Sequence, residues 1–376
     1  MAVSIAASPN SLNTVDALRW RVTLTDLGTD PLIKRAGWIL EDASGGVVAE
    51  LSSTRPGSTS DPILLDFTRN IRGLVTTKLP AIGALGVQND NTFIKEFKLK
   101  YGDIVINKDT GAVTNNVTNL TSAYKVFNGN NNIWDTALTT SAGAYILSYR
   151  PLNYNLVRTS QDYLWLLGSG TVVYRLYYSD NTTQDITQSA PYDANIIPVG
   201  LPFLAALMGG GHDSDDVTQL RITIGSVSYY IQFEHLCEGD QEGFMEVLFL
   251  EPLGGRSVML FQTVEGAGVS RQTNEAEIYK NINSIAALRS AGDSIIYSKA
   301  HGTYQFKRQL GNDPDEIRWA HGFGAATEHH LLLKDRAGTQ FWAKFLLDGP
   351  PSINLSSKEM TASGRLAKSI DAPYAF

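Results

Sequence analysis

Residues 245–262 carry the pattern of a β-hairpin, which commits this part of the chain to a sheet. Two apolar runs of strand length, 247–250 and 258–261, are joined by a short link that contains the glycine pair Gly254-Gly255. Such a link predicts a tight turn with a residue at positive φ, a conformation that glycine adopts without steric strain. No pattern of catalytic residues accompanies the hairpin.

Alternation of apolar and polar residues predicts further strands. In residues 18–25, Trp20 and Val22 alternate with arginines and threonines. Successive side chains of a strand point to opposite faces, so this period of two predicts a strand with one buried face. Other apolar runs of strand length recur at spacings typical of β-sandwiches. They lie at 37–41, 46–51, 63–67, 93–106, 144–147, 163–167, 171–178, 220–224, 227–233, 294–298 and 330–334.

Composition and length complete the prediction of the fold class. Charged residues make up only 18% of the chain, which contains 33 Gly and 14 Pro, whereas about 25% charged residues is usual. This composition suits short strands and many turns. Because 376 residues exceed what one core usually covers, we expect a mainly β protein with two or three β-sandwich-like domains, short helices and long loops. No repeat of fixed period is visible, which disfavours a solenoid or propeller.

The expected domains are divided near residues 150 and 254. Residues 1–150 form an N-terminal β-domain with an Asn/Thr-rich insertion at 107–132, predicted as a long surface loop. Residues 151–254 form a central β-domain. Residues 255–376 form a C-terminal β-rich domain with an extended tail from residue 352, where packing on a neighbour and an ordinary frayed terminus are both open interpretations.

Three segments favour short helices. Residues 68–75 predict one or two helical turns, and residues 201–208 predict a short helix or a buried crossover. Residues 275–289 are the best helical candidate in the C-terminal domain.

Charge and targeting patterns exclude several partners. The formal net charge is −7, and no cluster of Lys and Arg is present, so we expect no binding to nucleic acid, which depends on such clusters. The single cysteine, Cys237, forms no intrachain disulfide, and folding in a cytoplasm is the simple interpretation. No secretory signal and no run of 18 apolar residues is visible, so no membrane insertion is expected.

Two histidine-containing segments are candidate metal sites. Residues 209–216 place His212, Asp213, Asp215 and Asp216 in a glycine-rich loop, and carboxylate oxygens are ligands for hard cations. The loop lacks the spacing of a calcium-binding hand, so a solvated turn is the simpler interpretation. In residues 328–330 two adjacent histidines would point to opposite faces of a strand. We therefore predict no metal and no other cofactor.

No catalytic constellation is predicted either. Cys237 lies two residues after His235, which are the residue types of a thiolate and its base. Acidic neighbours surround this cysteine, whereas reactive cysteines need electropositive surroundings, so a buried structural cysteine is the simpler interpretation. No nucleophile elbow and no phosphate-binding loop is present. A pair of glycosidase carboxylates stays open, because their separation depends on the fold.

Aromatic residues are candidate sugar contacts. Most of the six tryptophans lie inside apolar alternations and are predicted to be core. Trp134 is the exception, because it follows the Asn-rich segment 128–132. We expect Trp134, or Tyr124, to be exposed if this loop binds a glycan.

The order of several motifs resembles that of a known group. The N-terminal half contains Pro9-Asn10, the strand with Trp20, and a segment from Asp66-Phe67 to Leu79-Pro80. The remainder contains Tyr163-Leu164-Trp165, the Gly254-Gly255 turn and the polar segment 271–280. This order spans most of the chain and resembles that of virion proteins from tailed phages that infect Bacteroidetes bacteria.

The resemblance implies a structural, non-enzymatic role. It implies a component of a tail, hub, collar or baseplate, assembled in the host cytoplasm as a homo-oligomeric ring that contacts other virion proteins. Sheet edges, long loops and residues 352–376 would then supply the contacts. Two alternatives stay open: a receptor- or carbohydrate-binding module at the tail tip that contacts a host-surface glycan, and a glycan-degrading enzyme with two carboxylates across a groove.

Overall fold

The computed structural model describes residues 3–9, 12–54, 61–129, 138–141, 144–209, 211–234, 244–263, 268–279, 292–311, 313–334 and 338–367. Strands dominate these residues and form several sheets, with few short helices. The predicted mainly β, multi-domain fold class is confirmed. None of the described helices is long and apolar enough to span a membrane.

The N-terminal sandwich consists of two sheets packed face to face. One sheet has the order β1 (Val3–Ala7), β3 (Arg19–Leu24), β6 (Ile63–Asp66). The other has the order β2 (Leu12–Thr14), β11 (Tyr124–Phe127), β8 (Ile94–Asn107), β4 (Leu32–Asp42), β5 (Val47–Ser53), and β8 also pairs with β9 (Val113–Asn115) and β10 (Asn119–Leu120). The alternation predicted for β3 is confirmed, because Trp20 and Val22 are buried and Arg21 is exposed.

Residues 130–132 of the predicted surface loop lie outside the described part of the chain, and residues 107–129 are not the long loop that their composition suggested. They contain β9, β10 and β11, each of which pairs antiparallel with β8. The long strand β8 offers hydrogen-bonding partners along its whole length, and this pairing overrides the low strand preference of asparagine. The predicted turns after residue 67 are confirmed as α1 (Thr68–Ile71).

The central sandwich also has two sheets, which we call the inner and the outer sheet. The inner sheet has the order β12 (Leu138–Ser141), β13 (Ala144–Ile146), β15 (Asp162–Leu167), β18 (Ala194–Val199), β7 (Gln88–Asn89). The outer sheet has the order β14 (Asn153–Val157), β20 (Val227–Glu234), β19 (Val217–Ile224), β16 (Gly170–Tyr178), β17 (Thr183–Ala190). The predicted helix after residue 200 is confirmed as α2 (Leu201–Leu204), which a short 3₁₀ helix, Ala205–Leu207, extends.

The inner sheet is covered on both faces. Leu164 and Leu166 of β15 pack in the core shared with the outer sheet. Tyr163 and Trp165, on the opposite face, pack with Leu248 of the C-terminal unit. Every residue of β15 and of β18 is therefore buried.

The C-terminal barrel closes on itself. Within the described residues, a ring of strands runs through β24 (Gly292–Gln309), β22 (Arg256–Thr263), β21 (Phe244–Leu250), β25 (His329–Lys334), β26 (Gln340–Leu347) and β28 (Glu359–Leu366), and β28 pairs again with β24. Two more strands, β23 (Gly268–Tyr279) and β27 (Ser352–Asn354), pair with β24 and β28. The predicted hairpin is confirmed as β21 and β22.

A helix, α3 (Pro314–Ala325), packs against the core of the barrel. Asp313 caps its start by accepting a hydrogen bond from the backbone N–H of Asp315, and Pro314 occupies the first turn. Trp319 and Phe323 are buried against barrel residues such as Phe249. The helix thus contributes to the same apolar core as the strands.

The helix predicted at 275–289 is wrong where the structure describes it. Residues 275–279 belong to β23, which pairs with β24 over its whole length. Glu275, Ala276 and Glu277 have good helix propensity, but strand pairing with β24 outweighs it. Residues 280–289 lie outside the described part of the chain.

Strand pairing also crosses the expected domain limits. The β21–β22 hairpin spans the limit at residue 254, and β7 and β13 place residues before 150 in the inner sheet. Residues 352–366 do not form a free arm, because β27 and β28 are part of the C-terminal sheet. Residues 368–376 lie outside the described residues.

Candidate functional site

Charged and polar side chains meet at a buried position between the central sandwich and the barrel. We call this cluster the buried junction. It consists of Ser148, Arg150, Tyr154, Asp162, Glu251 and Ser257. Buried charges of this kind are uncommon, because removing them from water is unfavourable unless each has a partner.

An ion pair forms the centre of the buried junction. The Arg150 guanidinium contacts both carboxylate oxygens of Asp162, at 2.7 Å and 2.5 Å, and donates to the Tyr154 hydroxyl at 3.0 Å. Asp162 also accepts hydrogen bonds from the backbone N–H groups of Tyr163 and Val258, at 2.8 and 3.2 Å. Burial raises the pKa of Asp162, and the Arg150 guanidinium opposes that shift.

Glu251 joins the turn of the β21–β22 hairpin to the segment that leads into the central sandwich. One carboxylate oxygen accepts from the backbone N–H of Tyr149 at 2.6 Å. The other accepts from the hydroxyls of Ser148, at 2.8 Å, and Ser257. Burial raises the pKa of the Glu251 carboxyl, and these hydrogen bonds act in the opposite direction. The contacts fix the barrel against residues 148–149.

The glycine pair of the hairpin turn lies against both sandwiches, with Gly254 at the N-terminal sandwich and Gly255 at the inner sheet of the central sandwich. Gly254 has φ of +95°, as the sequence predicts, and a Cβ there would lie 1.3 Å from the carbonyl oxygen of Asn128. A Cβ on Gly255 would lie 2.3 Å from the carbonyl oxygen of Leu147. Thr77 donates a hydrogen bond to the Gly254 carbonyl at 3.0 Å. The turn therefore contacts both sandwiches through glycine backbone, where no space is left for a side chain.

The buried junction connects units of the fold and is closed to ligands. Arg150, Asp162 and Glu251 are 2%, 0% and 2% exposed, so no substrate reaches them. Arg256 extends the contact by donating to the Thr77 carbonyl and to Glu328, at 3.2 and 2.6 Å. The cluster joins the central sandwich to the barrel, Arg256 adds the contact with Thr77, and the charged side chains of the cluster are closed to solvent.

The glycine-rich loop predicted as a candidate metal site is ordered by its own side chains. Asp213 accepts from the backbone N–H of Asp215 and caps a 3₁₀ helix, Ser214–Asp216. His212 stacks on Tyr178 at 4.0 Å between ring centroids. Its ring nitrogens lie 3.8 Å from Asp180 and 3.6 Å from Asp216. In the described part of the chain, no three His, Cys, Asp or Glu side chains converge as metal ligands.

The adjacent histidines at the start of β25 are both buried. His329 Nε2 lies 2.8 Å from the carbonyl oxygen of Phe323, and burial lowers the pKa of its imidazole. Burial, reinforced by the nearby Arg256 charge, lowers the pKa of His330 to about 4. Both therefore stay neutral near pH 7 as part of the barrel wall.

The predicted aromatic candidates divide into core residues and residues that the structure does not describe. The buried tryptophans are Trp20, Trp38, Trp165 and Trp319. Trp342 is partly buried and donates to the Pro80 carbonyl at 3.2 Å. Tyr124 packs edge-on against Trp20, so its ring is engaged in the core and is not a surface for stacking a sugar. Trp134, His235 and Cys237 lie outside the described residues.

Two features of the fold are suited to contacts with other chains. All 12 residues of β23 pair with β24, and no third strand pairs with β23 in the described part of the chain. We call residues 268–279 and 292–303 the β-arm. The second feature is β5, the last strand of its sheet, on which Val47 and Leu51 are 62% and 50% exposed.

The sequence patterns did not reveal the buried junction or the β-arm. The glycine pair marked the turn but not the unit it contacts. Known proteins add no assignment: no protein-family model matches the chain, and a search of curated proteins finds no match.

Proposed function

We propose that this chain is a structural component of a tailed-phage virion, in a tail, hub, collar or baseplate, and that it assembles as a homo-oligomeric ring. The β-arm is the observation that carries the proposal. A two-stranded ribbon is at best marginally stable in water by itself. Twelve pairs extend about 36 Å at roughly 3.3 Å per residue, which is long enough to reach a neighbouring subunit.

The position of the β-arm in the barrel supports this role. Before the arm begins, β22 pairs with β24 inside the barrel, at Gln262 with Lys307 and at Thr263 with Phe306. Beyond these pairs, β23 continues on the same side of β24 from Gly268, which pairs with Thr303. The arm is thus an extension of the barrel strands, and no other strand pairs with β23 in the part of the chain that the structure describes. We propose that a strand or sheet of another chain covers it.

The rest of the molecule supports the same role. The buried junction and Arg256 fix the three units to one another. Fixed units suit a subunit that must keep its shape within a larger assembly. The strand β5, the last of its sheet among the described strands, exposes Val47 and Leu51, and edge strands pair readily with another chain.

A shortened β-arm tests the assembly. Replacing residues 269–302 with Asn-Gly joins Gly268 to Thr303 through a two-residue hairpin turn and keeps the barrel strands intact. We expect the intact chain to form rings in negative-stain images and the shortened chain to remain monomeric by light scattering. The matched control shortens the exposed hairpin turn between β8 and β9, at residues 108–111, and should still assemble.

Two results would contradict the proposal. One is assembly of the shortened chain that equals that of the intact chain. The other concerns the particle itself: tryptic peptides of this chain should be present in phage particles purified from the source that encodes it, and their absence by mass spectrometry excludes a virion role.

A further inference from the structure

Within the described residues, most outward side chains of the outer sheet are exposed or partly exposed, whereas Val157 at the end of β14 is buried. Along β16, β19 and β20 buried residues alternate with partly or fully exposed ones. The buried set fills the core of the central sandwich. The outward set forms what we call the polar face. It consists of Asn153, Asn155, Thr171, Val173, Arg175, Tyr177, Thr183, Asp185, Thr187, Ser189, Gln219, Arg221, Thr223, Ser228, Tyr230 and Gln232.

Strand register aligns these side chains in rows across the sheet. In one row Arg175 pairs with Asp185 on β17 and with Arg221 on β19. The row continues from Arg221 to Tyr230 on β20 and from Tyr230 to Asn153 on β14. Cross-strand neighbours lie about 4.5–5.5 Å apart, so a ligand along the row meets one side chain after another.

The adjacent row has amides and hydroxyls. Tyr177 pairs with Thr183 on one side and with Gln219 on the other. Gln219 pairs with Gln232, and Gln232 pairs with Asn155. A cavity of about 160 Å³ opens between the two rows, lined by Asn153, Tyr154, Asn155, Gln219, Tyr230 and Gln232.

Part of the polar face is fixed by an ion pair, and part of it is exposed to solvent. Arg175 donates two hydrogen bonds to Asp185, both at 2.6 Å, which fix both side chains. Tyr230 is 37% exposed beside the amides of Gln219 and Gln232.

We infer that the polar face binds an oligosaccharide. Amide and guanidinium groups supply the paired donors and acceptors that sugar hydroxyls require, and the tyrosine rings offer a surface for the apolar face of a pyranose. The inference does not depend on the virion role. It names a binding site apart from the β-arm, and the cavity shares only Tyr154 with the buried junction.

The composition of the polar face disfavours the other large ligands. The core of a protein interface is usually more apolar than its rim, but Val173 is the one aliphatic side chain among the exposed and partly exposed residues of this face in the described strands. A nucleic acid needs an excess of cations, and of the two arginines one is already paired with Asp185. A polyhydroxylated, largely neutral ligand matches the remaining groups.

Affinity electrophoresis of the full chain tests this inference. The probes are dextran, mannan and xylan, each cast separately into a native gel. We expect at least one polysaccharide to retard the intact chain, and the variant Tyr230→Ala with Gln232→Ala to lose about tenfold or more in affinity, as expected when two ligand contacts are removed. The matched control is Tyr192→Ala, because Tyr192 is 39% exposed but lies outside the polar face.

Each remaining outcome overturns the inference. Migration of the intact chain that none of the three polysaccharides changes excludes a glycan-binding face. Retardation that persists in the double variant places binding elsewhere, and equal loss in Tyr192→Ala does the same. Far-ultraviolet circular dichroism of each variant verifies that the fold is retained. Because Tyr230 and Gln232 are both exposed, we expect their spectra to match that of the intact chain.

Discussion

The inner and outer sheets of the central sandwich share one apolar core but differ on their other faces. The inner sheet buries every residue of β15 and β18, whereas β16 of the outer sheet alternates strictly between buried and less buried residues. A strand that is apolar throughout is typical of a sheet covered on both sides. We therefore infer that the inner sheet holds the units together, whereas the outer face of the outer sheet is available to a ligand.

The same difference separates two Arg–Asp pairs. Arg150 and Asp162 lie at the inner sheet, and both side chains have no solvent exposure. Arg175 and Asp185 lie on the outer sheet with side chains 37% and 42% exposed. The two pairs join the same ionic groups but differ in burial and in their other partners, because Arg150 also donates to Tyr154 and Asp162 also accepts from two backbone N–H groups.

Breaking the buried pair should have the largest effect. Asp162→Ala leaves the Arg150 charge buried without its partner, which costs about 3–5 kcal/mol of unfolding free energy. The double variant Arg150→Met with Asp162→Leu removes both charges and should recover most of that loss. Urea unfolding followed by tryptophan fluorescence measures both. A loss below about 1 kcal/mol for Asp162→Ala would show that the pair does not join the central sandwich to the barrel.

Adding one methyl group at the hairpin turn should have the next largest effect. Gly254→Ala places a Cβ onto the Asn128 carbonyl, so the turn and the N-terminal sandwich have to separate, at a loss of about 3 kcal/mol. Gly45→Ala is the matched control, since Gly45 has φ of +86° but no atom within 4 Å of an added Cβ. It should lose only about 1–2 kcal/mol, the strain of a left-handed residue. Equal losses in thermal unfolding would remove the turn from the contact.

The pH dependence of stability should be opposite for two glutamates. The pKa of Glu251 is raised by burial, so the folded state holds its proton more tightly than the unfolded state. Its contribution to stability therefore falls as the pH rises from about 4.5, the ordinary pKa of a glutamate, through the raised pKa of the folded state. Glu251→Gln should flatten this decline. Unfolding free energies between pH 4 and pH 8 measure the slope, and an unchanged slope would contradict the assignment.

Glu328 is the control with the opposite sign. Burial acts to raise its pKa, but the hydrogen bond and charge of Arg256 lower it overall. Its stabilising contribution is present above the unfolded-state pKa and is lost as the pH falls through the folded-state pKa. Glu328→Gln should therefore reduce the loss of stability in acid rather than the decline toward neutral pH.

Breaking the exposed pair should have the smallest effect. Asp185→Ala leaves Arg175 in contact with water, and a surface ion pair contributes about 0–1 kcal/mol. The same urea experiment used for Asp162→Ala measures it. A loss as large as that of Asp162→Ala would mean that burial does not distinguish the two sheets.

Local sequence patterns predicted the elements that depend on neighbours in the chain. The alternation around Trp20 corresponds to a strand in the structure, and the glycine pair at 254–255 corresponds to a turn. Such patterns express which face is buried, a property that a few consecutive residues determine. They reveal little about what covers that face.

The buried junction depends on contacts between distant residues. Ser148 and Glu251 are 103 residues apart, and neither stands out from its local sequence. Partners at such separations follow from how the three units dock. A single sequence contains no local signal for that docking.

The misplaced helix has a different cause. The cap of α3 was visible as Asp313-Pro314 followed by Asp315 and Glu316, the residue types that start helices. The glycines at 322 and 324 have low helix propensity, so the residues after this cap did not predict a helix. In residues 275–279 helix-favouring residues concealed a strand whose partner lies across the β-arm.

The solution mass of the intact chain tests the central claim, that a rigid subunit assembles with copies of itself through a projecting β-arm. Light scattering over a range of protein concentrations, with negative-stain images of the same samples, measures it. The account predicts a closed ring of one fixed copy number or a mass that rises with concentration to that value. A monomer at every concentration would contradict it.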